Sequence, residues 1–266
     1  MTEKKAVDAV CMPQTIDSLV AGFRELGVKE GMTLIVHSSL SSLGWVSGGA
    51  ESVIRALMLT VGDEGTIVMP AQSASNSDPA EWMHPPVPES WWPIIRETMP
   101  PFCRETTPTR GMGAVAELFR RFPGVERSEH PMYSFAAWGK HNAYIIENQP
   151  LTEGFGPDSP LAKLYELEGK ILMIGVDHES NTSLHLAEHV AKKSRVKKSA
   201  ALIEGGERVW KTYEELDYDA DCFEKIGYSY ESTENYRTMK IGRGVCKLID
   251  QRSMVDFGRQ WFREKM

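Results

Sequence analysis

Residues 32–49, MTLIVHSSLSSLGWVSGG, decide how the rest of the chain is read. Met32 to Val36 is a short unbroken apolar run, the pattern of a strand buried on both faces. His37 to Gly49 then turns polar and glycine-rich, which ends the strand in a loop. Ala50 to Val61 returns to helical spacing. Thr66 to Met69, followed by Pro70, is a second buried strand. Strand, glycine-rich loop, helix and strand in that order predict an α/β layer.

Upstream, Thr15 to Leu26 has helical spacing, with Thr15 or Asp17 as its cap and Gly27 at its end. Downstream, Ala71 to Pro108 holds eight prolines and Trp82, Trp91 and Trp92. A segment so rich in aromatics reads as an ordered excursion rather than disorder. It is expected to carry a short helix near Trp91 to Glu97 and to lie over a site. Further helices are predicted over 113–122, 159–167, 181–193 and 255–264. Strands are predicted over 135–138 and 170–176 (KILMIGV), with short ones at Ile203, 209–211 and 244–249. No repeat or composition shift divides the chain, so residues 1–266 read as one α/β domain with a central mixed sheet.

The formal net charge is −7. That argues against a nucleic-acid partner, which requires basic residues on phosphates. Cys11, Cys103, Cys222 and Cys246 form no C-x-x-C pair and read as free thiols. The N-terminal stretch MTEKKAVDAV lacks a signal-like apolar run, and no stretch approaches the ~20 apolar residues of a membrane span. A cytoplasmic protein with no membrane partner is expected. General frequencies favour a homodimer.

Three stretches carry candidate chemistry. In Thr182-Ser183-Leu184-His185-Leu186-Ala187-Glu188-His189, Thr182 can cap a helix, and His185, Glu188 and His189 share one face. KILMIGV points at this helix start, where a helix dipole would disfavour an imidazolium. Glu188, or Glu179 in the preceding loop, can fix the tautomer of His185. The same residues also spell H-x-x-E-H, the spacing of an inverted zincin, so a zinc-dependent hydrolase is an alternative. In the second stretch, Gly44, Gly48 and Gly49 allow close backbone approach, and Ser38, Ser39 and Ser41 offer hydroxyls to phosphate or amide groups. The helix that follows offers its positive end to a pyrophosphate. In the third, TTPTRGMG over 106–113, Thr109 is either a helix cap or a donor to a carbonyl developing negative charge, and Arg110 can meet a phosphate.

Together these stretches resemble the aminoglycoside 3-N-acetyltransferase family of antibiotic N-acetyltransferases. The likeness runs through HSSLSSLGWVSGG, GTIVMPAQ, TPTRGMGAVAELFRRFPGVERSEHP, SPLAKLYELEGKILMIGV, TSLHLAE, DYDADCFEKIG and VDFGRQWF. WMHPPVPESWW is similar to a Bacillus-type branch. The resemblance implies the family's own fold, not that of GCN5-type acetyltransferases. It implies direct acetyl transfer from acetyl-coenzyme A to a small-molecule amine, without an acyl-enzyme and without a metal. His37, Ser38, Ser39, Leu40, Ser41, Gly44, Val46, Gly48 and Gly49 would bind the coenzyme, with Thr109 and Arg110 near it. His185 matches the catalytic histidine and Glu188 its acidic neighbour; His189 lies outside the pattern. Glu179 stands where many members have Asp. Asp78, Glu81 and Glu89 in the excursion are candidate contacts for a polycationic acceptor. A coenzyme-binding protein without catalysis is the other alternative.

Overall fold

The computed structural model describes residues 3–191, 193–233 and 235–265. In chain order the first half contains α1 (Glu3–Asp8), α2 (Ile16–Leu26), β1 (Thr33–Ser38), α3 (Gly49–Val61), β2 (Thr66–Pro70), α4 (Trp92–Thr98), α5 (Gly113–Phe119), β3 (Glu126–Arg127) and β4 (Phe135–Gly139). The second contains α6 (Asn142–Ile146), α7 (Pro160–Glu166), β5 (Lys170–Ile174), α8 (Leu184–Glu188), β6 (Arg195–Glu204), β7 (Glu207–Leu216), α9 (Phe223–Glu231), β8 (Tyr236–Ile241), β9 (Gly244–Asp250) and α10 (Gln251–Lys265).

Among the described residues the main sheet has seven strands in the order β3-β4-β2-β1-β5-β9-β8. β1 runs parallel to both β2 and β5, and the remaining pairings are antiparallel. The sheet is therefore mixed, as expected. Its strands alternate between two cores. Leu34, Val36, Leu172 and Ile174 pack toward α2, α3 and α5, while Ile35, Ile171 and Met173 pack toward α6 to α10. Burial on both faces explains why β1, β2 and β5 read as continuous apolar runs.

Local rules account for the ends of α2. The Thr15 hydroxyl accepts the Ser18 N–H while the Ser18 hydroxyl accepts the Thr15 N–H, a reciprocal capping box. Thr15, not Asp17, is the cap, and Gly27 closes the helix in the left-handed conformation.

Three expectations are corrected. The helix expected over 181–193 is a single turn, Leu184–Glu188, whose N-cap position is Ser183, and no side chain caps it, so Thr182 is not the cap. Leu184, Leu186, Ala187 and Glu188 are all buried, so the apolar spacing did not mark one face or its ends. The short strands at 203 and 209–211 belong to a separate hairpin of two ten-residue strands, β6 and β7, joined at Gly205-Gly206. Both glycines have positive φ, the geometry of a tight two-residue hairpin turn. Finally, among the described residues of the excursion 71–108, Gln72 alone, just past the end of β2, lines the large cavity considered below. The excursion packs on the hairpin instead: the Phe102 N–H donates to Ala201 O, Arg208 donates to the carbonyls of Arg96 and Met99, and Lys198 pairs with Glu81. Its ends are drawn together by buried Arg127, which donates to the carbonyls of Ala71 and Thr107 and to the hydroxyls of Ser73 and Ser134.

Candidate active site

A cleft of about 1060 Å³ opens at the carboxyl ends of β1, β2 and β5. This is where ligands bind in open α/β sheets, beside strands whose connections diverge. One wall is the end of β1 and its loop: His37, Ser38, Ser39, Leu40, Ser41, Gly44 and Val46 all line it, as does Gly49 at the start of α3. A second group of lining residues comes from the segment after β5, with Val176, Glu179, Ser180, Thr182 and His185.

His185 is held on three sides. Its Nδ1 donates to Glu188 Oε2, one turn along α8. An ionised carboxylate only accepts, so this bond assigns the proton to Nδ1 and leaves Nε2 as the free basic nitrogen. Phe155 stacks flat on the ring, and Tyr218 and Phe223 meet it edge-on. Glu188 is fully buried, and its second oxygen is engaged too: Oε1 contacts the Lys193 ammonium and accepts the Asp219 N–H at 3.2 Å. Lys193 also pairs with Asp219. Buried carboxylates need this degree of satisfaction to stay charged. With α8 only one turn long, its dipole is slight, and the Glu188 bond governs the imidazole instead.

Glu179 lines the cleft but is exposed and forms none of these bonds, so the carboxylate that orients His185 is Glu188. The H-x-x-E-H residues do not converge as three donors. His189 Nε2 meets the Tyr218 hydroxyl at 2.9 Å, while Glu188 serves His185 and Lys193.

His37 sits under the serine loop at the end of β1, with its Nε2 buried and without a partner. Burial pulls its pKa down to about 3, so the ring is neutral. Gly48 does not line the cleft. A Cβ there would lie 2.4 Å from Ser52 Oγ, so its small size serves the turn into α3. Gly49, at φ +57°, has nothing within 4 Å of the position a Cβ would take, and this open glycine faces the cleft. No side chain caps the start of α3, which leaves backbone N–H groups there for a ligand.

Other expected site residues have internal partners. The Thr109 hydroxyl donates to Glu117 Oε2 at 2.7 Å and its N–H donates to the same oxygen, so neither is free for a thioester carbonyl; nor does Thr109 cap α5. Burial opposes the Glu117 charge, but hydrogen bonds from Arg120 and Thr109 hold its pKa down at about 2. Arg110 donates to His84 O at 2.8 Å. Asp78 receives a bidentate pair from Arg96, Glu81 is paired with Lys198, and Glu89 is exposed on the excursion; none of the three lines the cleft. The expectation for these acids fails because the excursion folds onto the hairpin. Phe155, Tyr218, Lys193 and Asp219 were missed. Phe155, Tyr218 and Asp219 lie far from TSLHLAE in sequence, and Lys193 was read as the end of a helix that in fact stops at Glu188; only DYDAD (217–221) signalled acids nearby.

Residues 35–263 match the family model for aminoglycoside 3-N-acetyltransferase. The chain is 48% identical over 261 residues to the SPbeta prophage-derived aminoglycoside N(3')-acetyltransferase-like protein YokD of Bacillus subtilis, covering 97% of this chain and 96% of that one. The crystal structure of YokD superposes with a TM-score of 0.97 at 47% identity, over 98% of both chains. AAC-IIIb, solved as a binary complex with CoASH, superposes at 0.85 with 30% identity over 96% of this chain and 98% of that one. AAC-VIa bound to sisomicin does so at 0.87 with 31% identity, over 96% and 99%. The chain belongs to the aminoglycoside 3-N-acetyltransferase family.

Proposed function

We propose that the protein transfers the acetyl group of acetyl-coenzyme A to an amino group of an aminoglycoside or similar amine, with His185 as general base. The observation that carries this reading is the orientation of His185: Nδ1 is committed to Glu188, and the ring lines the cleft beside the HSSLSSLGWVSGG loop. Support comes from the likeness to one relative solved with CoASH and another solved with sisomicin.

The cleft fits the coenzyme chemically. The uncapped start of α3 offers backbone N–H groups to a pyrophosphate, and Ser38, Ser39 and Ser41 border the path toward His185. Glu179 on the cleft, and the half-exposed Asp219 next to cleft-lining Ala220, favour a cationic amine. An ammonium has no lone pair for attack. His185 Nε2 takes one proton from the ammonium, the freed lone pair forms the C–N bond as the C–S bond breaks, and the second proton that the nitrogen sheds in becoming an amide ends on the departing thiolate. Glu188 stabilises the resulting imidazolium. A positioned base supplies roughly 100- to 10,000-fold in rate, and holding both substrates side by side supplies the rest.

The test is release of coenzyme A thiol from acetyl-coenzyme A against paired aminoglycosides with and without a free 3-amino group. Release only with the free 3-amino group is expected. Coenzyme binding without release against any amine would support the non-catalytic alternative. Activity that depends on stoichiometric zinc would support the hydrolase.

A further inference from the structure

We propose that Lys193 is a positioning residue for the transfer, an ammonium that bridges Glu188 and Asp219 and limits how firmly the His185–Glu188 pair holds a proton. The proposal rests on the reading of His185 as the base, and it adds a residue outside the histidine–glutamate pair.

The geometry is a chain of four groups. His185 Nδ1 bonds one oxygen of Glu188, Lys193 contacts the other, and Lys193 also contacts Asp219, whose N–H returns to Glu188. The Lys193 side chain is only 6% exposed and that of Glu188 is 0% exposed. Such an arrangement is costly to build. Burial opposes the ammonium, yet hydrogen bonds to Asp219 and Glu188 hold its pKa above the usual lysine value. The charge is therefore present at every physiological pH.

Of the other titratable groups near the pair, Tyr218, Cys222 and His189 lie beside it, Glu179 is exposed on the cleft that His185 lines, and Glu153 and Glu215 lie farther out beside His189 and Tyr218. Burial pushes the Tyr218 phenol and the Cys222 thiol up, and the His189 imidazole down. Lys193 and Asp219 are thus the formal charges closest to the His185–Glu188 pair in this network. Without the ammonium, a buried carboxylate in contact with an imidazole binds a proton tightly and shares it across the pair. A base already carrying a proton cannot accept one from the amine. A positive charge on the far oxygen opposes that proton uptake and also keeps Glu188 ionised and pointed at Nδ1.

The experiment measures kcat and KM across pH for Lys193→Met and Lys193→Arg, alongside His185→Ala. In Lys193→Met the acid limb of kcat/KM is expected to move up by about one pH unit, with kcat at neutral pH down about tenfold. KM for acetyl-coenzyme A should stay within about twofold, because Lys193 is not part of the coenzyme wall. Lys193→Arg keeps the charge and should return the limb to its native position. Lys193→Gln removes the charge but keeps a donor, and provides the same reading if the Met variant does not fold. A limb that stays in place in a folded, charge-free variant overturns the proposal, even if turnover falls. Full turnover in His185→Ala would instead overturn the base assignment beneath it.

Discussion

The Phe155 and His185 rings lie 4.6 Å apart between centroids and within 4° of parallel. The stack fixes the plane of the imidazole, and the bond to Glu188 fixes its rotation within that plane. Neither constraint alone would aim Nε2. Two carboxylates were candidates for the second role, and the structure separates them. Glu188→Gln is expected to lower kcat about 100-fold or more, because an amide cannot stabilise the imidazolium. Glu179→Gln should change kcat by less than about threefold, the scale of an exposed charge. Equal losses in the two variants would contradict this division.

Acid sensitivity follows from histidines buried in the neutral form. His130 accepts the N–H groups of Met132 and Tyr133 at Nδ1 and meets Leu151 O through Nε2, and its pKa is pulled by burial to about 3, as is that of His37. In the unfolded chain both titrate near 6.5. Between those values the unfolded state binds more protons, so stability is intact above pH 6.5 and is lost as pH falls toward 3. The roughly 1.5 units between 6.5 and pH 5 cost about 2 kcal/mol for each histidine. Urea unfolding midpoints should fall over this range, and His37→Asn should remove about one proton from the slope. A flat profile between pH 7 and 5 would contradict the neutral burial of these rings.

Gly227 on α9 touches the His178 ring so closely that a Cβ would lie 1.9 Å from Cγ. His178 cannot retreat, since it is fully buried and Nε2 donates to Glu231 at 2.7 Å. Gly227→Ala is therefore expected to destabilise the fold by about 3 kcal/mol or more, despite the better helix propensity of alanine. Differential scanning calorimetry should show a fall in Tm of about 6–12 °C. Glu224→Ala, on the exposed face of the same helix, should stay within about 0.5 kcal/mol.

What the sequence revealed tracks how local each determinant is. β1, β2 and β5 are buried on both faces, so their apolar runs stand out, and the capping box at Thr15 depends on residues three apart. The hairpin was read as fragments because RVKKSAALIE and ERVWKTYEEL carry charges on both faces; Glu-Gly-Gly-Glu at 204–207 was the signal that could have joined them. α9 was missed although FEKIGYSYE buries Phe223, Ile226 and Tyr230, because its central glycine and aromatic residues weaken helix propensity. Within the site, His185 and Glu188 were legible because one turn of helix joins them. Phe155 and Asp219 reach the same imidazole environment by tertiary folding alone, and no spacing announces that. The acids of the excursion were misplaced for the same reason: their partners, Arg96 and Lys198, are set by a packing that the linear pattern does not contain.

The most direct test of the central claim is the turnover of His185→Ala measured beside its affinity for acetyl-coenzyme A. The ring lines the cleft but comes from α8 after β5, not from the serine loop. Turnover should fall by about 100- to 10,000-fold while coenzyme affinity stays within a few-fold. Native turnover in the variant, with the fold intact, would remove His185 from the chemistry and contradict the account.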